Sequence, residues 1–144
     1  MISRVLRKFW LSLACCMALA LVLFHAPIQC HAFEITIDVA PSTLNLQSQG
    51  QVVTVHTNIA FSSVDGGTVS LNGIPIDWWK ADNQGNFVAK FLMTEVKALA
   101  DSGGLTVPGE NTLELVGYTT DGAEFTGSQT ITVIDVSTSK AGRN

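Results

Sequence analysis

The chain has 144 residues, 47 % of them apolar and 14 % charged, with a formal net charge of −4. That length suits one folded core and not two, and that composition excludes a disordered charged tail. Arg4, Arg7 and Lys8 all precede residue 33, so the remainder carries five basic against twelve acidic residues, a net of −7; a nucleic-acid binder needs a basic face that this balance does not supply.

Residues 1–32 read as a secretory signal peptide. A positive start is followed by Phe9 to Phe24, a 16-residue apolar run without charge. Cys30 and Ala32 then place small residues at the −3 and −1 positions of a cut before Phe33. The competing reading is an uncleaved N-terminal anchor, because the run is slightly long for a signal core and slightly short for a membrane span. A lipoprotein reading fits less well, since Cys30 follows Gln29 and not a small residue. Cys15, Cys16 and Cys30 all fall in the leader. The expected mature domain, 33–136, is therefore cysteine-free, with no disulfide and no thiolate chemistry. Its expected address is secreted: periplasm, cell surface or medium, with no membrane attachment after cleavage.

From residue 33 the dominant signal is alternation of period two, with turn residues every 8–12 positions or so. Phe33, Ile35, Ile37 and Val39 share one face of a first strand that Pro41 ends, and Leu44 and Leu46 continue the rhythm in an edge piece. Gln51 to Ile59 is the next strand, with Val53, Val55, Thr57 and Ile59 on one side and Val52, Thr54, His56 and Asn58 on the other. Asp65-Gly66-Gly67 marks a loop and Thr68 to Leu71 a short strand. Asn72-Gly73 predicts a two-residue hairpin. The return strand from Ile74 carries Ile76, Trp78 and Trp79, and Pro75 puts it at a sheet edge. Asp82 to Asn86 is a polar turn into the strand of Phe87, Ala89 and Phe91.

Thr94 to Asp101 reads as one or two helical turns, with Thr94 as cap and Val96 and Leu99 inward. Gly103-Gly104 stops it, and Pro108 to Asn111 is another turn. Leu113, Leu115 and Gly117 face one way in the following strand. Asp121-Gly122 closes a hairpin into a last strand from Glu124 to Val136. Residues 137–144 form a polar tail.

About seven or eight strands with polar outer sides and no long helix predict an all-β fold, two antiparallel sheets packed face to face. A small closed barrel is the alternative. Three stretches add to this: Ile37 to Pro41 with Leu44-Asn45-Leu46; Trp79 to Phe87; and Gly109 to Leu113 running through Thr120-Asp121-Gly122 to Thr130-Ile131-Thr132-Val133. Together they resemble the immunoglobulin-like β-sandwich modules of bacterial secreted and cell-surface proteins, over most of residues 34–136. The resemblance implies a spacer, adhesion or ligand-binding role and transfers no catalytic residue.

No catalytic set and no cofactor is expected. His56 is the one histidine after the leader, in mid-strand, away from any glycine-framed serine. Trp78 and Trp79 are adjacent, so one indole must face outward; with Tyr118 they are the expected binding residues for a protein partner or a glycan. Asp82, Asn83 and Asn86 surround a glycine turn with oxygens suited to calcium, although Met93 stands where an EF-hand places its closing Glu. Phe33, Ile35, Ile37 and Val39 either complete their own sheet or add to a neighbour's edge. Surface recognition is thus the leading expectation. Self-assembly by edge-strand addition of residues 33–39, and a carbohydrate-binding module with a calcium-stabilised loop, are the alternatives.

Overall fold

A computed structural model describes residues 32–136 of the chain. The predicted leader up to residue 31 and the predicted tail at 137–144 lie outside the described residues. The elements are β1 (Phe33–Glu34), β2 (Ile37–Ala40), β3 (Thr43–Asn45), β4 (Val52–Ala60), a 3-10 turn (Phe61–Ser63), β5 (Val64–Leu71), β6 (Ile74–Pro75), β7 (Trp78–Ala81), β8 (Asn86–Leu92), α1 (Met93–Asp101), β9 (Gly109–Thr119) and β10 (Glu124–Ile134).

Alternating apolar residues give each strand one buried side, and two sheets bury those sides against each other. The front sheet has the order β1-β10-β9-β5-β6, with β3 also on β10, and the back sheet has the order β2-β4-β8-β7. Written in immunoglobulin letters, the back sheet is A-B-E-D and faces G-F-C in the front. The fold is an immunoglobulin-like β-sandwich, as the alternation predicted, and not a closed barrel. Its one departure from an all-antiparallel plan is at the edge, where β1 and β3 run parallel to β10.

The core lies between the sheets. Val53 and Val55 of β4, Phe87 and Phe91 of β8, Leu113 and Leu115 of β9 and Phe125 and Val133 of β10 are all buried in one cluster. Each such side chain contributes about 1.5–3 kcal/mol relative to exposure. Helix α1 closes one end with Met93 and Val96, both buried.

Two predicted strands are divided by the tertiary structure. The strand expected over Phe33 to Val39 changes sheets midway: the Ile35 amide donates to Thr126 O in the front sheet, while the Thr36 carbonyl accepts from Asn58 N in the back. Gly127 makes that crossing possible. A Cβ there would lie 2.6 Å from Ile37 Cγ2 and 3.0 Å from Ile35 Cγ1, so a side chain would occupy the space through which the chain passes. The return strand from Ile74 divides in the same way: Ile76 N donates to Val69 O in front and Asp77 N to Lys90 O behind. Only Ile74–Pro75 stays on the front edge, where Pro75 is in register with Ser70 and its missing N–H costs no ladder bond on the open side.

Other boundaries move for local reasons. Asp65-Gly66-Gly67 is not a loop but part of β5, which shifts register between Asp65 and Ser70; a bulge, not a chain reversal, uses these glycines. Helix α1 starts at Met93 after Leu92, and Thr94 is not its cap. Of the two residues expected to point inward from it, Val96 is buried and Leu99 only half-buried. Gly109 to Asn111 already belongs to β9, and β10 ends at Ile134. The Asn72-Gly73 hairpin is as predicted, with both residues at positive φ. Among the described residues no helix is long and apolar enough to cross a membrane.

Candidate functional site

Trp78 and Trp79 occupy opposite sides of β7, an edge strand of the back sheet. Trp79 lies in register with Ala89, whose methyl points into the core, and Trp78 with Lys90, which points out. Trp79 keeps 38 % of its surface exposed, but its ring reaches across to the front sheet and sits against Gly66. A Cβ on Gly66 would stand 2.5 Å from Trp79 Nε1 and 2.8 Å from Cδ2. This indole therefore staples the edge of one sheet to the bulge of the other.

Trp78 is the free one, half exposed at 50 %. The Lys90 ammonium stands over its ring, 5.0 Å from the centroid, a cation–π contact of about 0.5–1 kcal/mol at an exposed position. Lys90 is opposite Thr54 on its other flank, and the adjoining outward row pairs Leu92 with Val52, both exposed. The row beyond holds Asp38, His56, Val88 and Lys80 in register across all four strands. Val88 is fully buried yet stands outside the core cluster. The back sheet's outer face thus carries Val52, Leu92 and Trp78, with Lys90 and Lys80 set among them.

Tyr118 is exposed on the outer face of the front sheet, between Asp65 of β5 and Glu124 of β10. The structure therefore separates Tyr118 from Trp78, on opposite faces of the sandwich, and does not bring the three expected aromatics together. Leu92, Val52, Lys90 and Lys80 take the place that Tyr118 and Trp79 were expected to fill. Their signal was in the sequence: β8 is apolar at both parities, with Val88 and Leu92 at outward positions.

The chain matches no family model, and no curated protein or solved structure is similar to it at a significant level.

The oxygens of the Asp82 turn are engaged within the turn. Asp82 Oδ1 accepts from the Gln84 and Asn86 amides, both at 2.8 Å, and the Asn86 side-chain amide donates to Asp82 Oδ2 and Gln84 Oε1. Asn83 is exposed at the tip, and Gly85 holds the positive φ that closes the turn. The Asn86 amide, above the other amides of the turn, holds the Asp82 carboxyl below its ordinary value of 3.8. The Thr119 hydroxyl, together with the Ala123 amide, does the same for Asp121 in the β9–β10 turn.

Both carboxylates have lower pKa values folded than unfolded. Their stabilisation is complete above the ordinary carboxylate value and is lost as pH falls through the lowered folded value. In thermal unfolding at pH 7 and pH 3, the Asp82→Asn/Asp121→Asn chain is expected to lose less of its midpoint on acidification than the wild type. Equal losses in the two proteins would refute the assignment.

Of the expected assembly strand, Phe33 is exposed and stacks at an angle on Phe125, while Ile35, Ile37 and Val39 are buried in the chain's own sandwich. His56 is exposed on the outer back face.

Proposed function

We propose that the domain is an exported, non-enzymatic recognition module whose contact surface is the outer face of the back sheet. The supporting observation is the grouping of Trp78, Leu92 and Val52, all exposed, around Lys90 on one four-stranded face. Tryptophan is among the residue types that dominate protein-contact energetics. The rigid sheet beneath them presents the group with little ordering cost on binding. The signal-peptide pattern of residues 1–32 supplies the export half of the reading. The partner's surface would offer apolar contact for Trp78 and Leu92 and an acidic group for the lysines.

The test is saturable binding of the purified, fluorescently labelled chain to the surface of the cells that produce it. Trp78→Ser/Leu92→Ser is expected to weaken binding about 30-fold or more, the loss of a central anchor. Its unfolding midpoint should change little, since exposed substitutions shift stability by only about 0.5 kcal/mol. Undiminished binding by the double variant, or no saturable binding by the wild type, would overturn the proposal.

A further inference from the structure

The charges of the sandwich are sorted by sheet. The strands of the front sheet contain Glu34, Asp65, Glu110, Glu114 and Glu124 and no lysine, arginine or histidine. All five acids point outward. Glu110, Glu114 and Tyr118 share a parity on β9 opposite that of buried Leu113 and Leu115. Asp65 and Glu124 are the register partners of Tyr118, and Glu34 pairs with outward Thr126. The strands of the back sheet carry Lys80 and Lys90, with Asp38 as their one acid and His56 beside it. Asp38 lies on β2, the edge away from both lysines, and Asp77 and Asp82 stand at the two ends of β7.

Each face also has its exposed apolar group. On the back they are Trp78, Leu92 and Val52, and on the front Tyr118 with half-buried Val116 beside it. The two outer faces of one molecule are therefore complementary to each other in charge, lysines on the back against acids alone on the front, and each carries an exposed aromatic, Trp78 at the β7 edge and Tyr118 on β9.

We infer that the occupant of the back-sheet face is the front-sheet face of a second copy of this chain, an inference that rests on reading the back face as the contact surface. Lys80 and Lys90 of one copy meet the acids around Tyr118 of the next, and Trp78 packs on the Tyr118–Val116 strip between them. The contact is heterologous, front to back, so it repeats along the sheet normal and builds an open stack in place of a closed dimer. A four-stranded face with strands about 4.8 Å apart and residues about 3.4 Å apart covers on the order of 500 Å². That is below the roughly 800 Å² per partner of a standard interface, so the association is weak, reversible and driven in part by charge.

Light scattering coupled to size separation tests this on the purified chain over a wide concentration range. The measurement is made at low ionic strength and again in about 1 M salt, where charges are screened beyond about 3 Å. The expected result is a mass that grows with concentration at low salt and returns to one chain at high salt. Lys80→Glu/Lys90→Glu and, separately, Glu114→Lys/Glu124→Lys are expected to weaken association about tenfold or more while both variants stay cooperatively folded. Mixing the two variants is expected to restore growth, because each then offers the charge the other lacks.

A wild-type mass of one chain at every concentration overturns the inference, as does association that survives reversal of the front-sheet acids. The recognition reading fails separately, through undiminished cell binding by Trp78→Ser/Leu92→Ser or through the absence of saturable binding by the wild type. A monomer whose cell binding depends on Trp78 would leave that reading standing with a partner other than a second copy.

Discussion

A chain lacking residues 33–39 is expected not to fold. Ile35, Ile37 and Val39 are 8 %, 6 % and 1 % exposed. Burying each stabilises by about 1.5–3 kcal/mol, so their removal takes away roughly 5–9 kcal/mol. Domains of this size hold only about 5–15 kcal/mol in total. The segment also supplies backbone partners to both sheets, β10 through β1 and β4 through β2. Its loss leaves two edges open and exposes Val53, Val55 and Phe125 below them.

Urea titration followed by tryptophan fluorescence checks the expectation: the shortened chain should show no cooperative transition, or a midpoint near zero denaturant. A synthetic Phe33-to-Pro41 peptide added in excess should return a transition, because the missing strand is then supplied from outside. Should the shortened chain instead unfold cooperatively near the wild-type midpoint, the N-terminal strand is an accessory and its buried residues are dispensable. The milder substitution Gly127→Val probes the same crossing from the opposite wall. Its side chain would enter the space used by Ile35 and Ile37, and overpacking of this kind costs about 1–3 kcal/mol.

That crossing also shows where reading the sequence stops. Alternation states which residues of a strand are buried, and it does so correctly for β4 and for β9 from Leu113 to Thr119. Phe33 to Val39 alternates without interruption, so nothing local marks the place where the chain leaves β10 for β4. The change of sheet depends on Gly127, more than ninety positions away, and on which carbonyls stand opposite Ile35 and Asn58. Ile74 to Ala81 is the same case, with Ile76 and Asp77 bonded to different sheets.

The candidate site was legible in part for the same reason. One of two adjacent tryptophans must point outward, which the sequence states. Which one does so follows from register with Ala89 and Lys90, which it does not. Residue type alone groups Tyr118 with the tryptophans, and strand order places it on the other face of the sandwich. The charge separation between sheets needs the strand order as well, since the acids of β1, β5, β9 and β10 are spread from residue 34 to residue 124.

Gly66→Ala should destabilise the domain by about 2–3 kcal/mol, an unusual penalty for adding one methyl group. Gly66 has no positive φ to protect, so backbone strain is not the cause. The cause is Trp79, whose ring occupies the place of the new Cβ. Two responses are open to the protein: the indole leaves its seat, or β5 moves away from β7. Either one loosens the join between the sheets at that edge.

Trp79→Ala removes the staple from the other side and should cost about 2–3 kcal/mol, less than a wholly buried tryptophan because part of the ring is already in water. The two substitutions act on one contact, so their effects cannot add. In the Trp79→Ala background Gly66→Ala has nothing to strike and should cost less than about 1 kcal/mol. The double-mutant cycle, measured by denaturant unfolding, is then expected to give a coupling of about 1–2 kcal/mol. Trp78→Ala, one residue away on the same strand, should show none with Gly66→Ala. Additive effects for Trp79, or equal coupling for both tryptophans, would mean that the ring on Gly66 does not hold the sheets together, and the division of labour between the two indoles would fall with it.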